Sequence, residues 1–168
     1  MSINKEWFTK QYWNDEIEAE FYKRLKRSRH PFNKAQYMRI QAAILLRNND
    51  DVQRLKGVEL MKKMLDEFPE DEMNYREGLL YLGEYYRSIR KYEKALNCFE
   101  IVYQQNKDDN MCKIGVPEMH IAKTIIEAGN TDMYEYARKV MDEVNYRTLF
   151  VEELKNKYNE IMAELSNL

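Results

Sequence analysis

The sequence predicts an all-α fold, and three observations support this prediction. Only five glycines and three prolines occur among the 168 residues, and charged residues make up 33% of the chain. Apolar residues recur at spacings of three and four positions, which places them on one face of a helix. Small residues recur at matched positions in three successive stretches, as closely crossing helices require. We therefore expect paired helices in a chain long enough to bury a sizeable core.

The first expected element is an N-terminal capping segment and helix, residues 1–33. Asp15 and Glu18 have the spacing of a helix capping box, and an apolar stripe of residues 17, 21 and 25 ends before His30 and Pro31. Large aromatic side chains gain about 2 kcal/mol each on full burial, so those that precede the helix are expected to anchor the segment. They are Trp7, Phe8, Tyr12 and Trp13.

A basic block, residues 23–29, lies at the end of this predicted helix. Such a block can contact phosphates, so a nucleic-acid-associated factor that uses residues 23–29 is one alternative function. We disfavour nucleic acid as a partner, because the helix dipole also favours cations at a helix C-terminus and the whole chain carries a net charge of −2. The block is expected to face solvent or to pair with the acidic stretch 66–71.

The most regular pattern lies in the middle of the chain. Its small and large positions are Leu79, Leu82, Gly83, Tyr86, Tyr92, Ala95 and Phe99. In a helix-turn-helix pair, small residues lie where two antiparallel helices cross closely, and larger apolar residues fill the space on either side. Gly83 and Ala95 are therefore the predicted contact points. One such pair cannot bury its apolar face alone, so similar pairs are expected on both sides.

Two weaker copies of the pattern flank the middle one. Ala42 and Gly57 take the small positions upstream, and Ala122 and Ala137 take them downstream. The small residues are 15 positions apart in both outer copies but 12 apart in the middle copy, so the outer turns must be longer. The extra residues fall in two stretches rich in turn and helix-cap residues, 47–51 and 129–132.

These three copies, residues 34–145, resemble the tetratricopeptide (TPR) repeat superfamily. The resemblance implies a right-handed superhelix of about three helix-turn-helix pairs between N- and C-terminal capping helices, in one compact domain. Members of the superfamily bind peptides or partner proteins and usually catalyse nothing. The chain departs from the family pattern at three positions, where Arg90 replaces the usual turn glycine, Val102 the usual alanine and Lys107 the usual proline.

The resemblance also places a ligand in a concave groove, lined mainly by the first helix of each pair. Helical spacing then predicts the partner-binding groove residues, which are Gln36, Arg39, Glu77, Leu80, Glu84, Arg87, Met119 and Lys123. Some members grip a C-terminal carboxylate with paired asparagines, lysine and arginine, but the middle copy presents Tyr81 and Glu84 instead. A peptide that carries both charged and apolar side chains fits this groove better.

The last expected element is a C-terminal capping helix within residues 146–168. Thr148 is a candidate N-cap, and the helix that follows has one apolar face formed by Val151, Leu154, Tyr158, Ile161 and Leu165. This face must be covered, either by the third helix pair or by a second copy of the chain. A structural homo-oligomer, such as a homodimer built on this helix, is therefore the other alternative function.

The sequence shows no catalytic or metal-binding pattern. His30 and His120 belong to no metal-ligand spacing, and Cys98 and Cys112 lack a CxxC spacing, so we expect reduced cysteines and neither metal nor cofactor. Phosphate-binding glycine loops and nucleophile-elbow motifs are also missing. We therefore expect no enzymatic activity.

The N-terminal residues lack the apolar run of a secretion signal, and no run of about 18 apolar residues occurs in the sequence. These observations predict a cytoplasmic protein with no membrane partner. The functional prediction is a non-enzymatic adaptor or regulator that binds a peptide or partner protein in the groove.

Overall fold

The computed structural model describes residues 5–109, 113–146, 149 and 151–168. In these ranges the chain forms eight α-helices and no strand, so the all-α prediction is confirmed. Two short 3-10 segments, Lys5–Phe8 and Thr131–Met133, lie among them. The helices are α1 (Asp15–Arg27), α2 (Pro31–Leu46), α3 (Asp51–Glu67), α4 (Glu72–Ser88), α5 (Tyr92–Asp108), α6 (Pro117–Ala128), α7 (Tyr134–Asp142) and α8 (Glu152–Ser166).

The chain divides into two compact units, a first that ends at Leu82 and a second that begins at Gly83. The boundary falls within α4. Among the described residues, no helix is long and apolar enough to cross a membrane. Thr148 and Cys112, which the sequence analysis singled out, lie outside the described residues.

In the first unit, α2 and α3 pack closely through the small residues that the sequence predicts. A Cβ atom at Gly57 would lie 2.8 Å from the backbone nitrogen of Leu46 and 3.0 Å from the carbonyl oxygen of Ala42, so only glycine fits without a shift. The turn between the helices falls at residues 47–50, and the side chain of Asp50 caps α3 by accepting a hydrogen bond from the backbone N–H of Val52. This turn agrees with the prediction.

The start of the first unit requires two corrections. The N-cap of α1 is Asn14 rather than Asp15, because Asn14 has an extended backbone and its Oδ1 accepts a hydrogen bond from Ile17 N at 2.9 Å. Tyr12 is 67% exposed, although the sequence analysis expected it to be an anchor. Trp13 beside it is buried, and adjacent side chains of a non-helical segment cannot both face the same core.

In the second unit, Gly83 faces the ring of Phe99. A Cβ atom at residue 83 would lie 2.7 Å from Cζ of Phe99 and overlap the ring. Ala95, the other predicted contact point, is fully buried, as are Ala122 and Ala137 of the next helix pair. The small residues therefore lie in the core, and at Gly83 the missing side chain leaves room for an aromatic ring.

α8 packs against α6 and α7 within the second unit. Ile161 and Leu165 are buried, and Leu154 and Tyr158 are half-buried. Val151 is 55% exposed and precedes the first helical residue, so its predicted place on the apolar face is wrong. The buried residues lie on the later turns of α8, because that part of the helix contacts the core.

Arg90, in the turn between α4 and α5, has a positive φ of 58°. A left-handed backbone costs a residue with a side chain about 1 kcal/mol, whereas glycine adopts it readily. We expect Arg90→Gly to raise the free energy of unfolding by about 0.5–1 kcal/mol in urea titrations. Arg90→Ala, the matched control, keeps the strained φ and is expected to give no gain. A glycine variant no more stable than the alanine variant contradicts this account.

Candidate functional site

The eight predicted groove residues divide equally between the two units. Those of the first unit are Gln36, Arg39, Glu77 and Leu80, and those of the second are Glu84, Arg87, Met119 and Lys123.

In the first unit, Arg39 belongs to a buried polar network. Its side chain forms an ion pair with Glu77, and its Nε donates a hydrogen bond to Oδ1 of Asn74 at 2.8 Å. Asn74 is fully buried and in turn donates to Asp71 at 2.9 Å. Arg39 and Glu77 thus already satisfy each other, which gives them a structural role. Gln36 and Leu80 are half-buried.

In the second unit, all four predicted residues line one cavity of about 290 Å³. We call it the α4–α6–α8 cavity. The structure therefore brings together side chains that the sequence analysis placed on the first helices of two successive pairs. The lining residues are Glu84, Arg87, Gly115, Val116, Met119, His120, Lys123, Leu154, Lys157, Glu160, Ile161 and Glu164.

Helical spacing explains how each wall of the cavity forms. Glu84 and Arg87 are three positions apart on α4, and His120 and Lys123 are three apart on α6, so each pair shares a face. The apolar part of the lining includes Met119 and Ile161, which are 6% and 4% exposed. Six of the other lining side chains are charged, so the cavity combines apolar and charged surfaces.

His120 lies between the cavity and the core. Its ring stacks on Phe99, with the ring centroids 4.8 Å apart and the planes 20° from parallel. The pKa of His120 is lowered to about 3, mainly by burial and in addition by the positive charges of Arg87, Lys157 and Lys123. The imidazole is therefore neutral at physiological pH, and its 4.0 Å approach to Glu84 is not an ion pair.

The charged groups of the cavity include three cations and three carboxylates. The cations are Arg87, Lys123 and Lys157, and the carboxylates are Glu84, Glu160 and Glu164. The Nε of Arg87 lies 3.7 Å from Oε2 of Glu127, while its buried Nη1 has no hydrogen-bond partner among the described residues. A buried donor of this kind favours an acceptor oxygen, so the arrangement suits a ligand with a carboxylate or carbonyl group.

The contribution of α8 to this cavity is not among the sequence-based predictions, which concern only the apolar face of this helix as a cap. Lys157 and Glu164 lie four positions before and three positions after Ile161, so they flank the apolar face on neighbouring turns. That spacing was the available signal, but only the packing of α8 on α6 shows where these charges lie.

Two cations of the basic block, Lys23 and Arg24, form ion pairs within α1. Lys23 and Arg24 lie 3.6 and 2.6 Å from carboxylate oxygens of Glu20. Among the described residues, no group of three or more His, Cys, Asp or Glu side chains could hold a metal ion.

Comparisons of the chain with models of protein families, with curated proteins and with solved structures found no match.

Proposed function

We propose that this chain is a non-enzymatic, TPR-like protein–protein interaction module, an adaptor or regulator in the cytoplasm. The helix boundaries support the predicted pairs α2–α3, α4–α5 and α6–α7, and the buried small residues support close packing within them. The observation that carries the functional proposal is the α4–α6–α8 cavity, where Glu84, Arg87, Met119 and Lys123 meet.

The chemistry of the cavity supports a peptide ligand. Met119 and Ile161 offer contact to an apolar side chain, and a volume of about 290 Å³ suits a short stretch of peptide rather than a large cofactor. Nη1 of Arg87, supported by Lys123 and Lys157, suits an acidic group beside that side chain. The proposed ligand is a peptide segment in which an apolar residue is followed or preceded by an acidic one.

Peptide binding tests this proposal directly. The full chain is probed with an array in which each apolar residue is paired with either an acidic or a basic neighbour. The acidic pairs are expected to be retained, and a variant with Arg87→Gln and Lys123→Gln is expected to bind them at least about tenfold more weakly, because it loses two charge-assisted contacts.

Lys139→Gln is the matched control, because Lys139 is an exposed cation of the same unit outside the cavity. This variant is expected to bind like the unaltered chain. Equal retention of acidic and basic pairs, or an equal loss in the control variant, contradicts the proposed ligand.

The packing of α8 favours a capping role over a homodimer seam. Ile161 and Leu165, which a seam would use, are buried within their own unit. We therefore expect light scattering to give the mass of one chain while the protein concentration rises about a hundredfold, up to concentrations at which weak dimers form. A mass that approaches two chains would instead favour the homo-oligomer.

A further inference from the structure

The main chain of residues 9–14, between the first 3-10 segment and α1, is held by side-chain amides of α2 and α3. Oε1 of Gln41 accepts from Lys10 N at 2.8 Å, and Nε2 of Gln41 donates to Lys10 O at 2.7 Å. Gln53 makes the same two bonds with Trp13, at 2.5 Å to its nitrogen and 3.3 Å to its oxygen. Each glutamine thus pairs with a backbone residue in both directions, as a neighbouring strand would.

The burial of these glutamines shows what the site requires. Gln41 is 0% and Gln53 is 8% exposed. A buried amide without partners costs about 1–3 kcal/mol, so both side chains need a donor and an acceptor beside them, which the backbone of Lys10 and Trp13 supplies. A third amide, Nδ2 of Asn48, donates to Gln11 O at 2.6 Å. Since all five bonds go to backbone atoms, they place no demand on which side chains the bound segment carries.

Two buried aromatic side chains, Phe8 and Trp13, add to the contact. The ring of Trp7 also lies against those of Tyr37 and Phe21, with centroids 4.9 and 5.4 Å away. Phe8 and Trp13 are 5% and 6% exposed, whereas Tyr12 between them is 67% exposed. The ring of Phe8 lies 4.6 Å from that of Tyr37, and the ring of Trp13 lies 5.1 Å from that of Phe21, measured between centroids. Backbone bonds combined with buried side-chain anchors are the general means by which proteins bind peptides.

We propose that α2 and α3, together with Phe21 of α1, form a peptide-binding site for a non-helical segment with two aromatic side chains five positions apart, and that residues 8–13 of the chain are its tethered ligand. This site lies in the first unit and recognises main-chain atoms and aromatic rings, so it is independent of the charged α4–α6–α8 cavity. Its partner is a peptide with the same aromatic spacing, which competes with the tethered segment.

Tethering gives the chain's own segment a high effective concentration, so a competing peptide binds well only when the segment is weakened. The test uses the full chain with Phe8→Ala and Trp13→Ala, and a fluorescent peptide with the sequence of residues 5–14. Anisotropy is expected to show saturable binding at one site, at least about tenfold tighter than to the unaltered chain. A peptide with alanine in place of Phe8 and Trp13 is expected to bind at least about tenfold more weakly.

Gln53→Leu, added to the double variant, distinguishes specific recognition from adhesion of an aromatic peptide. Leucine keeps much of the volume but cannot bond to a backbone, so peptide binding is expected to fall at least about tenfold while the helical circular dichroism stays unchanged. Binding that survives this substitution, or no binding to the folded double variant, would overturn the proposal.

A second measurement on the unaltered chain covers the case in which the double variant does not fold. The N–H groups of Lys10 and Trp13 donate to Gln41 and Gln53, so their hydrogen exchange reports release of the segment. Added peptide is expected to speed exchange at both amides, while the alanine peptide is expected to leave it unchanged. If the two peptides have the same effect, the site does not exchange its ligand.

Discussion

Phe99→Ala is expected to lower the free energy of unfolding by about 3–5 kcal/mol, the range found when a fully buried aromatic ring is truncated. Phe99 is 0% exposed and contacts the neutral ring of His120. Its removal leaves a void beside Gly83 and takes away the stacking partner of a cavity residue. Urea titrations followed by circular dichroism measure the loss.

The pairing of Gly83 with Phe99 predicts that the effect of Gly83→Ala on the free energy of unfolding changes sign when the ring of Phe99 is removed. In the unaltered chain, Gly83→Ala is expected to cost about 1–3 kcal/mol, because the new methyl group overlaps the ring. In a Phe99→Ala background the same methyl group enters the void, and the higher helix propensity of alanine is expected to stabilise the chain by about 1 kcal/mol.

Gly78→Ala is the control for this cycle, because a Cβ atom at Gly78 meets flexible side-chain ends of Met64, Leu65 and Met61 rather than Phe99. Its effect is expected to be the same in both backgrounds, as for independent sites. If Gly83→Ala is equally costly with and without the ring, Phe99 does not explain the glycine.

His120 is expected to make the stability of the chain fall as the pH is lowered. In the unfolded chain, histidine takes up a proton near its ordinary pKa of about 6.5. In the folded chain, the pKa of about 3 keeps His120 neutral. Below pH 6.5 the unfolded state therefore binds more protons than the folded state. The contribution of His120 to the free energy of unfolding is present above about pH 6.5 and is lost progressively toward pH 3.

Comparison with His120→Gln isolates this contribution. The side chain of His120 is 25% exposed, so we expect the unaltered chain to lose about 1–2 kcal/mol more than the variant between pH 7 and pH 5. His30→Gln, at an exposed position before α2, is the control and is expected to follow the unaltered chain. If the His120→Gln variant loses as much stability between pH 7 and pH 5 as the unaltered chain, His120 does not have a lowered pKa in the folded chain.

The sequence alone determined the helices and most of the turns. The predicted turn at 47–51 was correct because helix-capping residues such as Asp50 form hydrogen bonds with residues close by in the sequence. Gly57, Ala95, Ala122 and Ala137 lie in the core because helical spacing already places them on packed faces. These features depend on interactions within a few residues or one helical turn, which a single sequence displays.

The tertiary structure decided which distant groups meet. It placed Phe99 against Gly83, gave Arg39 its partners in α4, and brought α8 to the cavity that Glu84, Arg87, Met119 and Lys123 line. It also paired Gln41 and Gln53 with backbone atoms 31 and 40 positions away. Glutamine at a core position looks unfavourable in a sequence, because the free energy of its burial depends on a partner that only the folded chain supplies.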